Sequence, residues 1–305
     1  MSEQEINKAQ PPGEPFHQEH NLKGNDFYIG WMPTAPKGTA KYIKRVLWFI
    51  FPLMIFIGFV LSSSQNKFST SNFEFGQLVQ ITGIYQQFPV PSLYVISNKD
   101  AFGKTSFITI PLVGYGKHGA EGVMKELEEE KQLSLNDKTI TLKGTLLYSD
   151  GKTILQVDKN DNPLVSIEQG SQIITPNHLT KELGIIDIKG EILDPKCYFG
   201  VMKPGLGKPH RDCAIRCIAG GINPVFYVRN KDGGTDYCIL LGANGEKINM
   251  QVQDFIADPV QLHARAIKYD DWIILYVDPS RDLKRISGAS LIKNHEDIIS
   301  CEALK

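Results

Sequence analysis

The sequence has little excess charge, few cysteines and only one long hydrophobic run. Its 305 residues, enough for about two domains, carry a formal net charge of −1, so no positive excess favours nucleic acid as a partner. Five cysteines are too few for a disulfide-dense scaffold, and their odd number leaves at least one thiol free, metal-bound or paired with another chain. No Ser/His/Asp arrangement, Walker phosphate loop or Cys-x-x-Cys-His haem motif can be assigned, so no enzyme activity is predicted.

The one long hydrophobic run predicts a membrane anchor. Residues 46–61 carry no charge, and residues 43–64 together reach the length of about 20 residues that a membrane-spanning helix needs. Four basic residues stand shortly before the run: Lys37, Lys41, Lys44 and Arg45. After the run, Lys67 is the only basic residue nearby. The positive-inside rule therefore places a largely disordered tail, residues 1–42, in the cytoplasm and the bulk of the chain outside.

This run is predicted to be an uncleaved signal anchor in the cytoplasmic membrane. A cleaved signal peptide is the rival interpretation, but the 45 residues before the run are too many for an ordinary signal-peptide lead. The protein is therefore expected to cross the membrane once. Its bulk is expected to be periplasmic if the source is a Gram-negative bacterium.

From residue 73 onward, the pattern is that of short strands, and it occurs twice. Four segments of the first half match four of the second: 79–83 with 186–190, 93–95 with 226–228, 107–114 with 235–242, and 136–158 with 257–278. Self-similarity of this kind indicates duplication. We predict a mainly β chain with two tandem OB-like small antiparallel barrels, residues 73–158 and 184–280. A linker, residues 159–183, joins them, and a polar tail, residues 281–305, follows.

Three of the five cysteines lie in an insertion, residues 194–224, that only the second repeat has. A helix over residues 211–218 would place His210, Cys213 and Cys217 on one face, because they are spaced three and four apart. Cys197 can fold back across the Gly/Pro-rich loop between them. One hypothesis is a Cys₃His site for zinc or another transition metal, with the ligands Cys197, His210, Cys213 and Cys217. The other is a disulfide between Cys197 and either Cys213 or Cys217, because the exported compartment is oxidising.

Two further features accompany this insertion. Its basic residues outnumber Asp194 and Asp212, so it either forms a solvated loop or supplies positive charge to the thiols or to an anionic ligand. In the first repeat, residues 114–119 match the Gly-x-G-x-x-Gly spacing between a strand and a predicted helix, residues 120–130. The antiparallel surroundings argue against a dinucleotide site, and a helix N-terminal loop that binds an anion is the preferred interpretation.

One resemblance rests on the cysteines and their neighbours. Gly190, Asp194 and Cys197 give Gly-x-x-x-Asp-x-x-Cys, and His-x-x-Cys-x-x-x-Cys with a Gly-Gly pair follows over residues 210–221. The pattern resembles a group of bacterial cell-envelope domains of OB-like appearance, over about residues 186–278. The resemblance implies a barrel fold and an envelope location, and it carries no activity.

The predicted function combines the anchor, the barrels and the insertion. We expect a membrane-anchored extracytoplasmic accessory or binding subunit of an envelope complex, with other envelope proteins as partners and no nucleic acid. A disulfide or structural metal would lie in its second domain. The alternative is a membrane-tethered thiol or metal redox protein that uses Cys213 and Cys217 with His210.

Overall fold

The computed structural model describes residues 37–67, 71–99, 105–159, 162–168, 178–229 and 235–287. Most of the predicted cytoplasmic tail and most of the predicted C-terminal tail, with Cys301, lie outside these residues. Helix α1, Lys37–Lys67, contains the predicted anchor. Among the described residues it is the one helix long and apolar enough to cross a membrane, over the 26 residues Gly38–Ser63, which rise about 39 Å at about 1.5 Å per residue.

The first β-barrel follows as part of a separate compact unit that begins at Thr70. Its elements are β1 Asn72–Phe73, β2 Val79–Gln86, β3 Ser92–Lys99, β4 Thr105–Val113, α2 Glu121–Lys131, β5 Thr139–Ser149, β6 Lys152–Val157 and β7 Leu164–Ile167. Five strands close in the order β2-β3-β4-β6-β5 and back to β2. In β5, buried Ile140 and Leu142 alternate with half-buried threonines, as a strand with one face on a core requires.

The second β-barrel repeats this strand order. Its elements are β8 Thr180–Leu193, α3 Arg211–Ala219, β9 Val225–Arg229, β10 Thr235–Gly242, β11 Pro259–Tyr269, β12 Trp272–Val277 and β13 Leu283–Arg285. Five strands close in the order β8-β9-β10-β12-β11 and back to β8. The prediction of a mainly β chain with two small barrels is confirmed.

The structure differs from the predicted pairing and boundaries. Each barrel closes with one parallel pair, β4 with β6 and β10 with β12, so the barrels are not purely antiparallel. The predicted linker contains β7 and the first residues of β8, and the predicted tail contains β13. Both short strands pair with the long strand of their barrel, β5 or β11, and each buries one leucine, Leu164 or Leu283. Strands of four and three residues, each with one fully buried leucine, are too short to show alternation in the sequence.

Both barrels require a glycine at the same position of their first strand. Gly83 in β2 and Gly190 in β8 lie where the next strand crosses closely. A Cβ atom at Gly190 would overlap the carbonyl oxygen of Tyr227, and one at Gly83 would press on the carbonyl oxygen of Tyr94. A glycine inside a strand is otherwise unfavourable, so the repeated position reflects a shared close approach of two backbones.

A hydrophobic cluster joins the two barrels. It contains Val113 and Ile154 of the first barrel together with Ile239 and Trp272 of the second. Trp272 is 1% exposed, and its indole Nε1 donates a hydrogen bond to the Thr109 carbonyl oxygen at 2.9 Å. Burial of a tryptophan with its N–H satisfied stabilises a junction strongly, so the barrels pack as one body.

Each barrel also inserts a hairpin turn against the other. Asp150, between β5 and β6, accepts a hydrogen bond from the Tyr237 hydroxyl at 2.6 Å, and Asp270, between β11 and β12, accepts one from the Thr109 hydroxyl at 3.2 Å. In the match between the repeats, Asp150 corresponds to Asp270 and Thr109 to Tyr237. The two parallel strand pairs also have the same register at corresponding positions of the repeats: Leu112 pairs with Leu155, and Leu240 pairs with Leu275. The interface is therefore reciprocal.

His178, in the segment between the barrels, also takes part in the interface at Asp270. Its Nδ1 bonds to Asp270 Oδ2, and its ring packs between Tyr94 of the first barrel and Tyr269 of the second, with centroid distances of 4.7 and 4.5 Å. Asp270 Oδ1 also accepts a hydrogen bond from the Leu179 amide at 2.9 Å. One carboxylate thus holds the segment between the barrels and both barrels together.

We expect Asp270→Ala to lower the free energy of unfolding by about 2–4 kcal/mol, because it leaves buried donors without an acceptor. Chemical denaturation of the full chain in detergent measures this change. Asp187→Ala is the matched control, since Asp187 forms an exposed pair with His263 and such pairs contribute at most about 1 kcal/mol. Equal losses for the two variants would contradict the role given to Asp270.

Candidate metal site

The cysteine and histidine insertion forms a short folded segment between β8 and β9. A wide helical turn, Cys197–Val201, follows the end of β8, and a 3₁₀ turn, Lys208–His210, leads directly into α3. The Asn249 side chain fixes the far end of α3 by donating hydrogen bonds to the carbonyl oxygens of Ile218 and Ile222 at 2.7 and 2.8 Å. The predicted helix is therefore present, extends to Ala219, and presents Cys213 and Cys217 one turn apart.

Two groups of donor atoms meet at Cys197. The first is Cys197, Cys213 and Cys217, and the second is Asp194, Cys197 and His210. Within each group the donor atoms lie within 4.8 Å of one another. All four predicted ligands are thus brought together around Cys197, although His210 and the two cysteines of α3 belong to different groups. Asp194 is an additional donor, and either group can hold a metal ion.

The donors of this site are buried without a full set of partners. Asp194 is 0% exposed and His210 is 1% exposed. Asp194 Oδ2 and both ring nitrogens of His210 have no hydrogen-bond partner among the described residues. A buried polar atom without a partner costs about 1–3 kcal/mol, so the site is arranged for a ligand that these atoms can bind.

The local environment favours the uncharged forms of His210 and Cys197. Burial lowers the pKa of His210, and the Lys117 charge adds to this while Asp194 opposes it. Hydrogen bonding with Cys217, burial and the negative charge of Asp194 raise the pKa of the Cys197 thiol far above its ordinary value. Neutral imidazole is the form that binds metals, and a bound cation would reverse the preference of Cys197 for its proton.

Two lysines contact the site. Lys196 is buried, and its Nζ donates hydrogen bonds to the carbonyl oxygens of Gly114 and Gly116 at 2.8 and 2.6 Å. Burial lowers its pKa, and the charge of Asp194 opposes that shift. Lys117 Nζ donates to Cys213 Sγ at 3.1 Å, and this hydrogen bond raises the pKa of Lys117. The first barrel therefore supplies groups to a site in the second.

The glycine loop, residues 114–119, differs from its predicted role. It was expected to bind an anion through a helix N-terminus. Instead, two of its carbonyl oxygens accept hydrogen bonds from the ammonium group of Lys196. Its backbone also reaches the second barrel, where the Gly119 amide donates to the Gly220 carbonyl oxygen at 3.0 Å. The loop therefore binds the ammonium group of Lys196 and holds the two barrels together.

The alternative disulfide is not formed in the structure. Cys197, Cys213 and Cys217 are thiols, and the Sγ atoms of Cys197 and Cys213 are 3.9 Å apart, well beyond the bond length of about 2.05 Å. These two sulfurs are at hydrogen-bonding distance. Cys238, the remaining cysteine of the described residues, is buried in the core of the second barrel.

The Asp258 carboxylate fastens the segment to the barrel. Asp258 accepts hydrogen bonds from Lys208 at 2.6 Å, Arg211 at 3.3 Å and Arg285 at 3.1 Å. Burial alone would raise the pKa of Asp258, but the hydrogen bond from Lys208 and the neighbouring positive charges outweigh it and hold the pKa below its usual value. Two of the basic residues in the segment, Lys208 and Arg211, therefore attach it to the barrel.

Sequence reasoning did not identify Asp194 as a donor or Lys117 as a neighbour of the thiols. Asp194 entered the sequence pattern with Cys197 and the charge balance of the segment, and Lys196 entered only as one of its basic residues. Lys117 lies 96 positions from Cys213, and no local pattern joins them. Comparison with protein-family models, curated proteins and solved structures finds no match.

We expect the Asp258 network to weaken in acid. Its folded-state pKa lies below the unfolded value of about 3.9, so its stabilisation is complete above that pH and is lost as the pH falls through the folded-state pKa. At pH 7, Asp258→Asn should lower the free energy of unfolding by about 1–3 kcal/mol. The difference from the unchanged protein should shrink below about pH 4.

Denaturation at a series of pH values measures both effects. Glu129→Gln is the control, because the Glu129 side chain forms an exposed ion pair with Lys125 at 3.6 Å. A difference between Asp258→Asn and the unchanged protein that stays constant down to pH values well below about 3.9 would show that the carboxylate charge does not hold the segment.

Proposed function

We propose that this chain is a membrane-anchored extracytoplasmic protein that acts as an accessory or binding subunit of an envelope complex. A structural metal ion, zinc by the chemistry of its ligands, would lie in the second barrel. The observation that carries the proposal is the buried donor set around Cys197. Its members are Asp194, Cys197, His210, Cys213 and Cys217.

The strand order supports an OB-like interpretation of both barrels. In each, the first three strands are antiparallel neighbours, the third pairs in parallel with the fifth, and the fourth returns to pair with the first. In the first barrel, α2 lies between the third and fourth strands. OB-fold barrels bind through the loops after particular strands, including the loop between the first and second. The Cys/His segment occupies that loop in the second barrel.

The surface of this segment is suited to a partner. Val201 and Met202 are exposed apolar residues beside the exposed Lys203, and Arg216 is exposed on α3. Exposed apolar side chains with basic neighbours are a common feature of protein contact surfaces. The metal would then hold the shape of this surface and take no part in a reaction.

Zinc in a structural role agrees with the donor chemistry. Thiolate and imidazole ligands suit zinc, which takes four ligands in closed structural sites and keeps an open position in catalytic ones. Five candidate donors are more than four positions need. Four of them are each no more than 4% exposed: Asp194, Cys197, His210 and Cys217. A complete set of protein ligands leaves no position for a substrate.

One observation favours a second candidate, a thiol redox protein. Cys197 Sγ and Cys213 Sγ are 3.9 Å apart, and Lys117 donates a hydrogen bond to Cys213. The Cys213 thiolate would attack a partner protein's disulfide and release one partner thiolate. Cys197 would then attack Cys213 Sγ, release the second, and leave a Cys197–Cys213 disulfide while the partner is reduced. The pair would therefore be Cys197 and Cys213, not Cys213 and Cys217.

We expect the full chain, purified in detergent and loaded with Zn²⁺ under reducing conditions, to retain about one equivalent of zinc. Cys213→Ser and His210→Ala should each lose most of this metal and lower the melting temperature, because a structural metal contributes to folding. Cys238→Ala is the control, since that thiol lies in the barrel core, and it should retain zinc.

Elemental analysis with titration of free thiols separates the two candidates. Zinc with thiols that become reactive only after chelation supports the structural site. Protein that binds no zinc but forms a reversible Cys197–Cys213 disulfide would reject the metal and support the redox candidate.

The membrane arrangement has its own test. A phosphatase that is active only outside the cytoplasm should be active when fused after residue 305 and inactive when fused before residue 1, because positive residues are concentrated in the first turns of α1, before its hydrophobic run. The fused protein should resist extraction from membranes by alkaline carbonate. The opposite activity pattern would overturn the proposed orientation.

A further inference from the structure

The first barrel reaches the Cys/His segment through its glycine loop, residues 114–119. Gly119 and Gly220 bring the two backbones together, and a Cβ atom on Gly220 would overlap the carbonyl oxygen of Lys117. This close approach fixes the backbone of Lys117 beside α3. The lysine side chain is therefore positioned by two barrels at once.

The side chain of Lys117 then binds the cysteine cluster. Lys117 is exposed, and an exposed lysine ordinarily extends its ammonium group into water. Here Nζ lies 3.1 Å from Cys213 Sγ. Lys196, from the Cys/His segment, contacts the same glycine loop and donates hydrogen bonds to the carbonyl oxygens of Gly114 and Gly116.

The charges of the site indicate what these lysines do. Metal binding requires ionised cysteines, so the three thiolates and the Asp194 carboxylate carry four negative charges with His210 neutral. A divalent ion offsets two of them. Lys117 and Lys196 offset the remaining two, and a neutral total reduces the cost of burying such a cluster.

We propose that Lys117 is a positioning residue of the metal centre, donating a hydrogen bond to the Cys213 sulfur while that sulfur binds the metal. The centre then belongs to both barrels. This inference rests on the proposed metal site and adds a residue from outside the Cys/His segment. Groups that hydrogen-bond to a metal ligand orient it and tune its donor strength, and losing one costs about 10–100-fold in metal affinity.

The test compares Lys117→Met and Lys117→Arg in the full chain in detergent. Zinc affinity is measured by competition with a chelating dye, and the electronic spectrum is measured with Co²⁺ in place of zinc. We expect Lys117→Met to bind zinc about 10–100-fold more weakly. Its sulfur-to-cobalt charge-transfer band should move to longer wavelength, because a sulfur without the cationic hydrogen bond gives up electron density more easily.

Lys117→Arg should restore both the affinity and the band position, because arginine keeps the charge and the donors. Lys125→Met is the matched control. Lys125 is an exposed lysine of α2 that pairs only with Glu129 among the described residues, and its loss should change neither measurement.

Three results would overturn the inference. Unchanged affinity and spectrum in Lys117→Met would remove Lys117 from the centre and leave the metal site intact. Weaker binding without a band shift would show that Lys117 supports only the fold. Failure of the unchanged protein to bind either Zn²⁺ or Co²⁺ would reject the metal site itself, and the inference with it.

Discussion

Ionisable groups that leave water lose solvation energy, and only opposite charges, hydrogen bonds or loss of the charge can compensate. The junction of the two barrels buries Asp194, Lys196 and His210 beside three cysteines. Lys196 is compensated by carbonyl oxygens of the first barrel. Asp194 and His210 retain unpartnered atoms among the described residues. The hydrogen bonds of Lys196 also hold the glycine loop of the first barrel against the segment.

The duplicated barrels show which contacts the repeat supplies and which the insertion adds. Asp150 and Asp270 occupy matching turns and make matching contacts across the interface, so a reciprocal interface follows from two similar barrels. His178 is bonded to Asp270 in one of these turns, and the Cys/His segment is an insertion in the second barrel. The chemistry therefore lies where the two copies diverge.

Much of this architecture can be predicted from sequence, because its signals are local. Alternating residues identify the long strands, and the spacing of Cys213 and Cys217 places both on a short helix. The repeat also locates the insertion. The short strands β7 and β13 have only four and three residues and each fully buries one leucine, Leu164 or Leu283, so they are too short to give a periodic signal.

The site itself was only half predictable for a related reason. Candidate ligands within one segment can be recognised by their spacing in the sequence. Lys117, however, approaches Cys213 only when both barrels have folded and docked. The parallel closing strands are equally non-local, since β4 and β6 are separated by α2 and β5. The match between the repeats does not reveal which strands pair, but it predicts that both barrels share one register, and the pairs Leu112–Leu155 and Leu240–Leu275 lie at corresponding positions.

The proposed location bears on the choice between metal and disulfide. Outside the cytoplasm, thiols at close range are exposed to oxidation, and Cys213 is only half-buried beside Cys197. A bound zinc ion would engage all three thiolates and remove them from thiol chemistry, whereas a disulfide would use two and leave Cys217 and His210 without a role. With the three thiolates bound, zinc has one further position, which a His210 nitrogen or Asp194 Oδ2 can take; these atoms have no hydrogen-bond partner among the described residues, and a disulfide would supply none. The metal therefore accounts for more of the buried cluster.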